Sequence, residues 1–339
     1  MADGKEKREL NRFVGRALLA CWPLLLLVAA YWIIDPFNVI GPFDPTSTMR
    51  DKTEPYNRCH QAVEAYANHR DSVPFNAFLL GSSRTIYYSI DSWKNYLPAD
   101  AECFHFDAAW ETLDGMLDKI EYVQNHGDRI KYAILEFHAG QFNDAEHDEV
   151  VYRQDYRLSH ADNFFAYHYK HFMSALNMKF IKVYAAYMIT GKMVDNKEVR
   201  VFESPMLSYD PVRNEIDYRN FDHELDADSM AYFRKYAELY QKTEADSVVP
   251  PMSARAVDTL RRIKQRLDAD STDYQVILGP TYYRRVNCAS DIRLLREIFG
   301  SDRVHVFQHY AIDRQSNFYD NIHYRYAVAD SLMSLVYGE

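Results

Sequence analysis

The stretch Phe78-Leu79-Leu80-Gly81-Ser82-Ser83-Arg84-Thr85 (FLLGSSRT) decides how the chain is read. An apolar run stops abruptly at a glycine, two serines and an arginine. A buried parallel strand that ends in a tight turn before a helix has this form. Gly81 permits a sharp backbone path, and the helix that follows would point its first N–H groups and its positive end at the turn. A serine hydroxyl held there can attack a carbonyl while those N–H groups receive the developing negative charge. A loop that cradles phosphate or sulfate has the same composition, and so does a plain helix cap.

The strand belongs to an alternation. Asn76 to Leu80 reads as a first strand, with a helix within Thr85 to Tyr96, and Glu102 to Phe106 (ECFHF) as a second strand. Trp110, Leu113, Met116, Leu117, Ile120 and Val123 follow a 3.6-residue period, with Gly127 placed to stop that helix. Tyr132 to Phe137 (YAILEF) is a third strand. The pattern resumes late, with a helix over Val257, Leu260, Ile263 and Leu267 and a fourth strand from Tyr274 to Leu278. A helix over Ile292, Leu295 and Ile298, a fifth strand from Val304 to Phe307, and a last helix over Val328, Leu332 and Leu335 complete it. Strands alternating with helices imply an α/β fold: a flavodoxin-like three-layer sandwich around a mostly parallel five-stranded sheet. Residues 74–142 and 252–339 would form this domain. Residues 143–251 are an aromatic-rich, largely helical insertion, which would emerge at the carboxyl end of the sheet as a lid or recognition subdomain, or serve as a packing or docking appendage. His168 and His171 within it sit on an aromatic helix without a partnering carboxylate and read as packing groups, not metal ligands.

Near the far end, NFYDNIHYRYAVADSLM places Asp320 and His323 three residues apart just before the final helix. A serine nucleophile needs a base, and an imidazole needs an acceptor that fixes its tautomer. In a sheet of this topology, the turn entering the last helix can lie beside the turn after the first strand.

The N-terminus sets the compartment. Lys5, Lys7, Arg8, Arg12 and Arg16 precede an 18-residue run without a charge, Ala17 to Ile34, just long enough to span a bilayer. Residues 1–16 then form a cytoplasmic tail, 17–34 a transmembrane anchor and 35–73 a juxtamembrane linker and lead-in. The main domain lies outside, periplasmic or at the cell surface. A cleaved signal peptide is the competing reading, since Val28-Ala29-Ala30 offers small residues for cleavage. The net charge of −10, with no later Lys/Arg cluster, excludes nucleic acid as a natural partner. The 27 tyrosines suit sugar-facing clefts and wet interfaces, or a core edge with the hydroxyl in water. Cys59, Cys103 and Cys288 lie in the outer domain and Cys21 in the span; three outer thiols leave at least one unpaired, so they make no disulfide scaffold, although one bridge is open to them.

A GDS-like block ending the first strand and a C-terminal Asp-x-x-His before the last helix resemble the signature of the SGNH (GDSL-like) hydrolases. The Gly-Ser-Ser-Arg form, the single anchor and the long insertion look most like one branch. It holds the D-alanyl transfer proteins of teichoic acid synthesis and the alginate-type O-acetylation proteins, which work beside multispanning membrane-bound O-acyltransferases. The resemblance implies Ser83 as nucleophile, His323 as base and Asp320 as its orienter, with no cofactor. It implies a cell-envelope polysaccharide or acylated glycan as substrate. Members of the family complete an oxyanion hole with a glycine after the second strand and an asparagine after the third. Here Asp107-Ala108-Ala109 holds no glycine, and Asn143 is the displaced candidate. Arg84 is either a contact for an anionic substrate group or a structural ion pair. The resemblance thus implies a serine O-acyltransferase or acyl-esterase, and the departures leave open a non-catalytic assembly or polymer-binding protein.

Overall fold

The computed structural model describes residues 2–41, 57–143, 149–190, 207–240 and 245–338. Residues 42–56 of the expected linker, and 144–148, 191–206 and 241–244 of the insertion, lie outside the described residues. All five expected strands are present, with ends shifted by at most one residue: β1 Ala77–Gly81, β2 Cys103–His105, β3 Tyr132–Phe137, β4 Asp273–Leu278 and β5 Val304–Val306. They form one sheet in the order β2-β1-β3-β4-β5, and every pairing is parallel. All five residues of β1 are buried, as a strand covered on both faces requires.

The two faces carry separate cores. Phe78 and Leu80 of β1, Phe104 of β2, Leu135 of β3 and Val276 of β4 point to one side. There they meet α2 (Arg58–His69), α3 (Leu113–Asn125), α6 (Ala254–Asp270) and α7 (Ala289–Phe299). Ala77, Leu79, Ile134 and Ile277 point to the other, against Trp93 and α8 (Tyr326–Tyr337). Local signals set the helix ends. The Thr112 hydroxyl accepts from the Gly115 N–H to open α3, and Gly127 at φ +84° follows its last turn. The Ser253 hydroxyl likewise accepts from Ala256 to open α6.

The helix expected within Thr85 to Tyr96 is instead two pieces, a 3₁₀ turn Ser83–Tyr87 and a short α-helix Ile90–Lys94. The cause is local: the N–H and hydroxyl of Thr85 both donate to the Ser82 carbonyl, at 3.0 and 2.6 Å, which tightens the chain to an i→i+3 pattern. The α-helix that follows the turn is only five residues long and starts at Ile90.

The insertion divides. Its first part contains α4 (Phe164–Ala175) and α5 (Met178–Thr190), and α4 packs against the end of α1 (Ala2–Ile34). Its second part, 207–240, wraps the sheet. A hairpin pairing Ser208–Asp210 with Glu215–Asp217 continues past the edge of β2, where the His105 N–H donates to the Arg213 carbonyl at 3.0 Å. Among the described residues no helix is long and apolar enough to cross a membrane. The side chains of residues 17–20, which open the apolar run, lie outside that description. No cysteine is bridged among the described residues; Cys59 and Cys103 are buried thiols.

Burial holds two imidazoles neutral. His105 on β2 and His171 on α4 are fully enclosed, and desolvation pushes each down to about 4. In the unfolded chain a histidine titrates near 6.5. Between those values the unfolded state binds protons that the native state does not. The stability that these two groups protect is therefore complete above about pH 6.5 and is lost as pH falls toward 4. Each contributes a slope approaching about 1.4 kcal/mol per pH unit. Denaturant unfolding from pH 7 to 4.5 should show a shallower acid loss in His105→Gln/His171→Gln than in the parent chain. An unchanged slope refutes the assignment.

Candidate active site

Parallel pairing aligns the carboxyl ends of β1 and β3, so that Gly81 sits opposite Glu136. The approach is close: a Cβ on Gly81 would stand 2.7 Å from the Glu136 carbonyl oxygen and 2.8 Å from Thr85 Cγ2. Glycine is required here by space. The chain then turns, burying Ser82 and leaving Ser83 partly exposed.

Across the edge of the sheet, 240 residues away in sequence, the loop before α8 presents His323. Ser83 Oγ lies 2.8 Å from His323 Nε2, and His323 Nδ1 lies 2.7 Å from Asp320 Oδ2. A carboxylate only accepts, so Nδ1 carries the proton and Nε2 is free to accept from the serine. The other Asp320 oxygen accepts from the backbone N–H groups of Ile322 and His323, both at 2.7 Å. Burial works against the Asp320 charge, but the charge and hydrogen bonds of His323 and the Ile322 N–H outweigh it. They hold the carboxyl below its usual range. The loop is tied on both sides, since the Asn321 N–H donates to the Leu239 carbonyl and the Asn321 carbonyl accepts from the Tyr282 N–H. Tyr87 packs its ring 5.7 Å from that of His323.

Arg84 does not face solvent. It is enclosed beneath the turn, with Nη2 3.1 Å from Glu136 Oε1 and 2.8 Å from the Pro280 carbonyl, and its guanidinium lies 5.0 Å from the centre of the Tyr324 ring. Of its two sequence readings, the structural ion pair is the one this geometry describes. Asn143 is not brought to the serine either. Its amide donates to the carbonyls of Pro250 and Pro251, both at 3.1 Å, and its oxygen accepts from the Ser253 N–H. With both donors occupied, it closes the start of α6 and offers nothing to an oxyanion. Asp107 is likewise occupied, in a two-bond pair with Arg58 at 2.7 and 3.0 Å.

Other donors lie at the site. The Ala108 N–H donates to the Gly81 carbonyl at 3.2 Å, which sets the 107–109 segment beside the serine turn. Among the described residues, the backbone N–H groups of Ser83 and Ala109 have no acceptor. Residue letters do not report free N–H groups, and only the turn geometry does. His138, after β3, is a second imidazole near His323. Burial, with the charges of Arg84, Arg285 and His323, pushes it down to about 3 and keeps it neutral. Arg285 lays its guanidinium over Gly140, 3.0 Å from where a Cβ would stand. Neither residue has a motif around it that the sequence could have flagged.

No protein-family model matches this chain, and no curated protein matches it.

The Arg84–Glu136 pair rests on Gly279, whose absent side chain leaves room for it. A Cβ there would lie 2.8 Å from Glu136 Oε1, closer still to Arg84 Nη2, and 3.3 Å from Tyr324 Cε1. Gly279→Ala should cost about 1–3 kcal/mol by overpacking, read as a lowered midpoint in denaturant unfolding. A variant as stable as the parent shows that the pair has room to move.

Proposed function

We propose that this chain is a membrane-anchored, extracytoplasmic serine O-acyltransferase or acyl-esterase of the SGNH type, working on a cell-envelope polysaccharide. The observation that carries the reading is the hydrogen-bonded line Ser83–His323–Asp320 at 2.8 and 2.7 Å. In the proposed reaction His323 Nε2 takes the proton of Ser83 as Oγ attacks the acyl carbonyl. The N–H groups of Ser83 and Ala109 are the donors proposed for the oxyanion. Collapse returns the proton from His323 to the departing alcohol and leaves an acyl-serine. A sugar hydroxyl or water, deprotonated by His323, then takes the acyl group and restores the serine. Asp320 remains ionised throughout and holds the imidazole in register.

The anchor is part of the proposal. The helix α1 runs unbroken through the apolar segment, and Trp22, Leu24 to Leu27 and Ile33 are exposed on it. An apolar helix stretch whose residues 21–27 all stand exposed is suited to lipid. Basic residues ahead of the span and none just after it argue for a cytoplasmic N-terminus, and a multispanning O-acyltransferase would be the natural donor partner. A second reading, an assembly or polymer-binding protein without turnover, is favoured by one observation, the engagement of Asn143 elsewhere.

A fluorophosphonate probe separates the two. It should label the chain at Ser83, with labelling lost in Ser83→Ala and kept in Ser82→Ala. Ester turnover should fall at least about 10³-fold in His323→Ala, and less in Asp320→Asn if Asp320 only orients. Absence of labelling in the parent chain favours the assembly protein. Topology has its own test: alkaline phosphatase fused after Ser47 should be active, and an inactive fusion overturns the compartment.

A further inference from the structure

Exposed large apolar side chains are concentrated in one region. Apart from α1 itself they gather on α4 and α5, whereas Trp110, Leu207, Met230, Val248 and Leu335 stand singly on separate elements. On α4 the inner face is closed: His168 and Phe172 meet the end of α1, with Trp32 5.3 Å from His168 and Tyr31 5.7 Å from Phe172, ring to ring. Phe37, in the turn after α1, packs 5.5 Å from His171. Asp35 holds that turn by accepting from the N–H groups of Val39, Ile40 and Gly41. The end of α1 is thus clamped to α4.

One residue further round the helix, the outer face is open. Phe165, Tyr169 and Met173, spaced by four, are 82, 63 and 48% exposed and make an uncharged stripe. The one lysine on α4, Lys170, points elsewhere and is held by Asp162 at 2.7 and 2.8 Å. Ring contacts tie the stripe to the end of α1 through the buried His168. Trp32 leads to His168, His168 to Phe164 at 4.4 Å, and Phe164 to Phe165 at 5.6 Å. On α5, Met178 and Ile189 are exposed as well.

We propose that α4 and α5 form an interfacial ledge that lies on the lipid surface beside the point where α1 leaves the bilayer. The occupant is lipid because the ledge begins at Trp32, Ile33 and Ile34, the last residues of the span, and so sits at the depth where a span emerges. Its aromatic and aliphatic side chains are those that the headgroup boundary accepts. The ledge rests on the anchor reading for its depth, and gives the outer domain two attachments. One helix alone would let the domain swivel; the clamp and ledge together fix its face toward the membrane.

The test uses the full chain in phosphatidylcholine–phosphatidylglycerol vesicles, with benzoylphenylalanine replacing one residue at a time. Irradiated at 165 or 169 in place of Phe165 or Tyr169, the chain should attach to acyl chains, as it should at 26 in place of Leu26. It should not attach at 230 in place of Met230, an exposed residue away from the ledge. Lipid attachment at 26 but not at 165 or 169 overturns the ledge and leaves the anchor standing. Attachment at 165 and 169 but not at 26 keeps the ledge and removes the anchor. Cross-links from 165 or 169 to a second copy of the chain, in place of lipid, also overturn it.

Discussion

A buried guanidinium and a buried carboxylate must be found together, because either alone in a low-dielectric interior is far too costly to keep ionised. Arg84 and Glu136 meet that requirement under the serine turn, and much of the site follows from it. Arg84 is the residue after Ser83, and Glu136 stands opposite Gly81 across the β1–β3 ladder. Tyr324, whose ring lies under the same guanidinium, is the residue after His323. The neighbours of the serine and of the histidine are therefore stacked on one another, and Ser83 and His323 are brought into reach as a consequence. Tyr324 is held in turn by donating to the Tyr88 hydroxyl at 2.9 Å, just beyond the 3₁₀ turn. Gly279 at the end of β4 leaves the space in which the ion pair sits, so three strands and the C-terminal loop converge on one buried charge pair.

The parts of this arrangement that were legible in the sequence are those governed by period. The strands show as short apolar runs between polar breaks, and α3, α6, α7 and α8 show as repeats of 3.6 residues, because burial of one face leaves that imprint. Asp320 and His323 were legible because one short segment holds base and orienter together. Arg84 was not, since an arginine beside a candidate nucleophile has the same letter whether it faces substrate or a buried glutamate. The partner that decides between them is 52 positions away and contributes nothing local. Asn143 shows the same limit: an amide side chain is a donor wherever it stands, and the proline carbonyls that occupy it lie more than a hundred residues downstream.

The insertion shows where composition reaches its limit. Aromatic density left open a lid over the site or a packing appendage, and the described parts do two jobs. Tyr232 and Tyr240 donate their hydroxyls to the carbonyls of Tyr319 and Phe318, at 3.1 and 2.8 Å, bracing the loop just ahead of Asp320. The Tyr326 hydroxyl links α8 to the insertion by accepting from the Tyr218 N–H and donating to the Ile216 carbonyl. These tyrosines work as buried struts with a polar tip, the arrangement that their amphipathic shape favours when a carbonyl is within reach. The α4 segment, with similar aromatic content, packs on the end of α1 instead.

Three ionisable neighbours of His323 are each held in one state by their surroundings. Arg84 stays a cation, matched by Glu136 3.1 Å away. His138 is held neutral down to about pH 3 by burial and the surrounding cations. Asp320, accepting two backbone N–H groups as well as the ring, is kept a carboxylate and so does not take the proton itself. What remains is an imidazole whose inner nitrogen is fixed as a donor and whose outer nitrogen faces a serine hydroxyl at 2.8 Å. Ser83, His323 and Asp320 thus stand in one hydrogen-bonded line, with the carboxylate behind the ring.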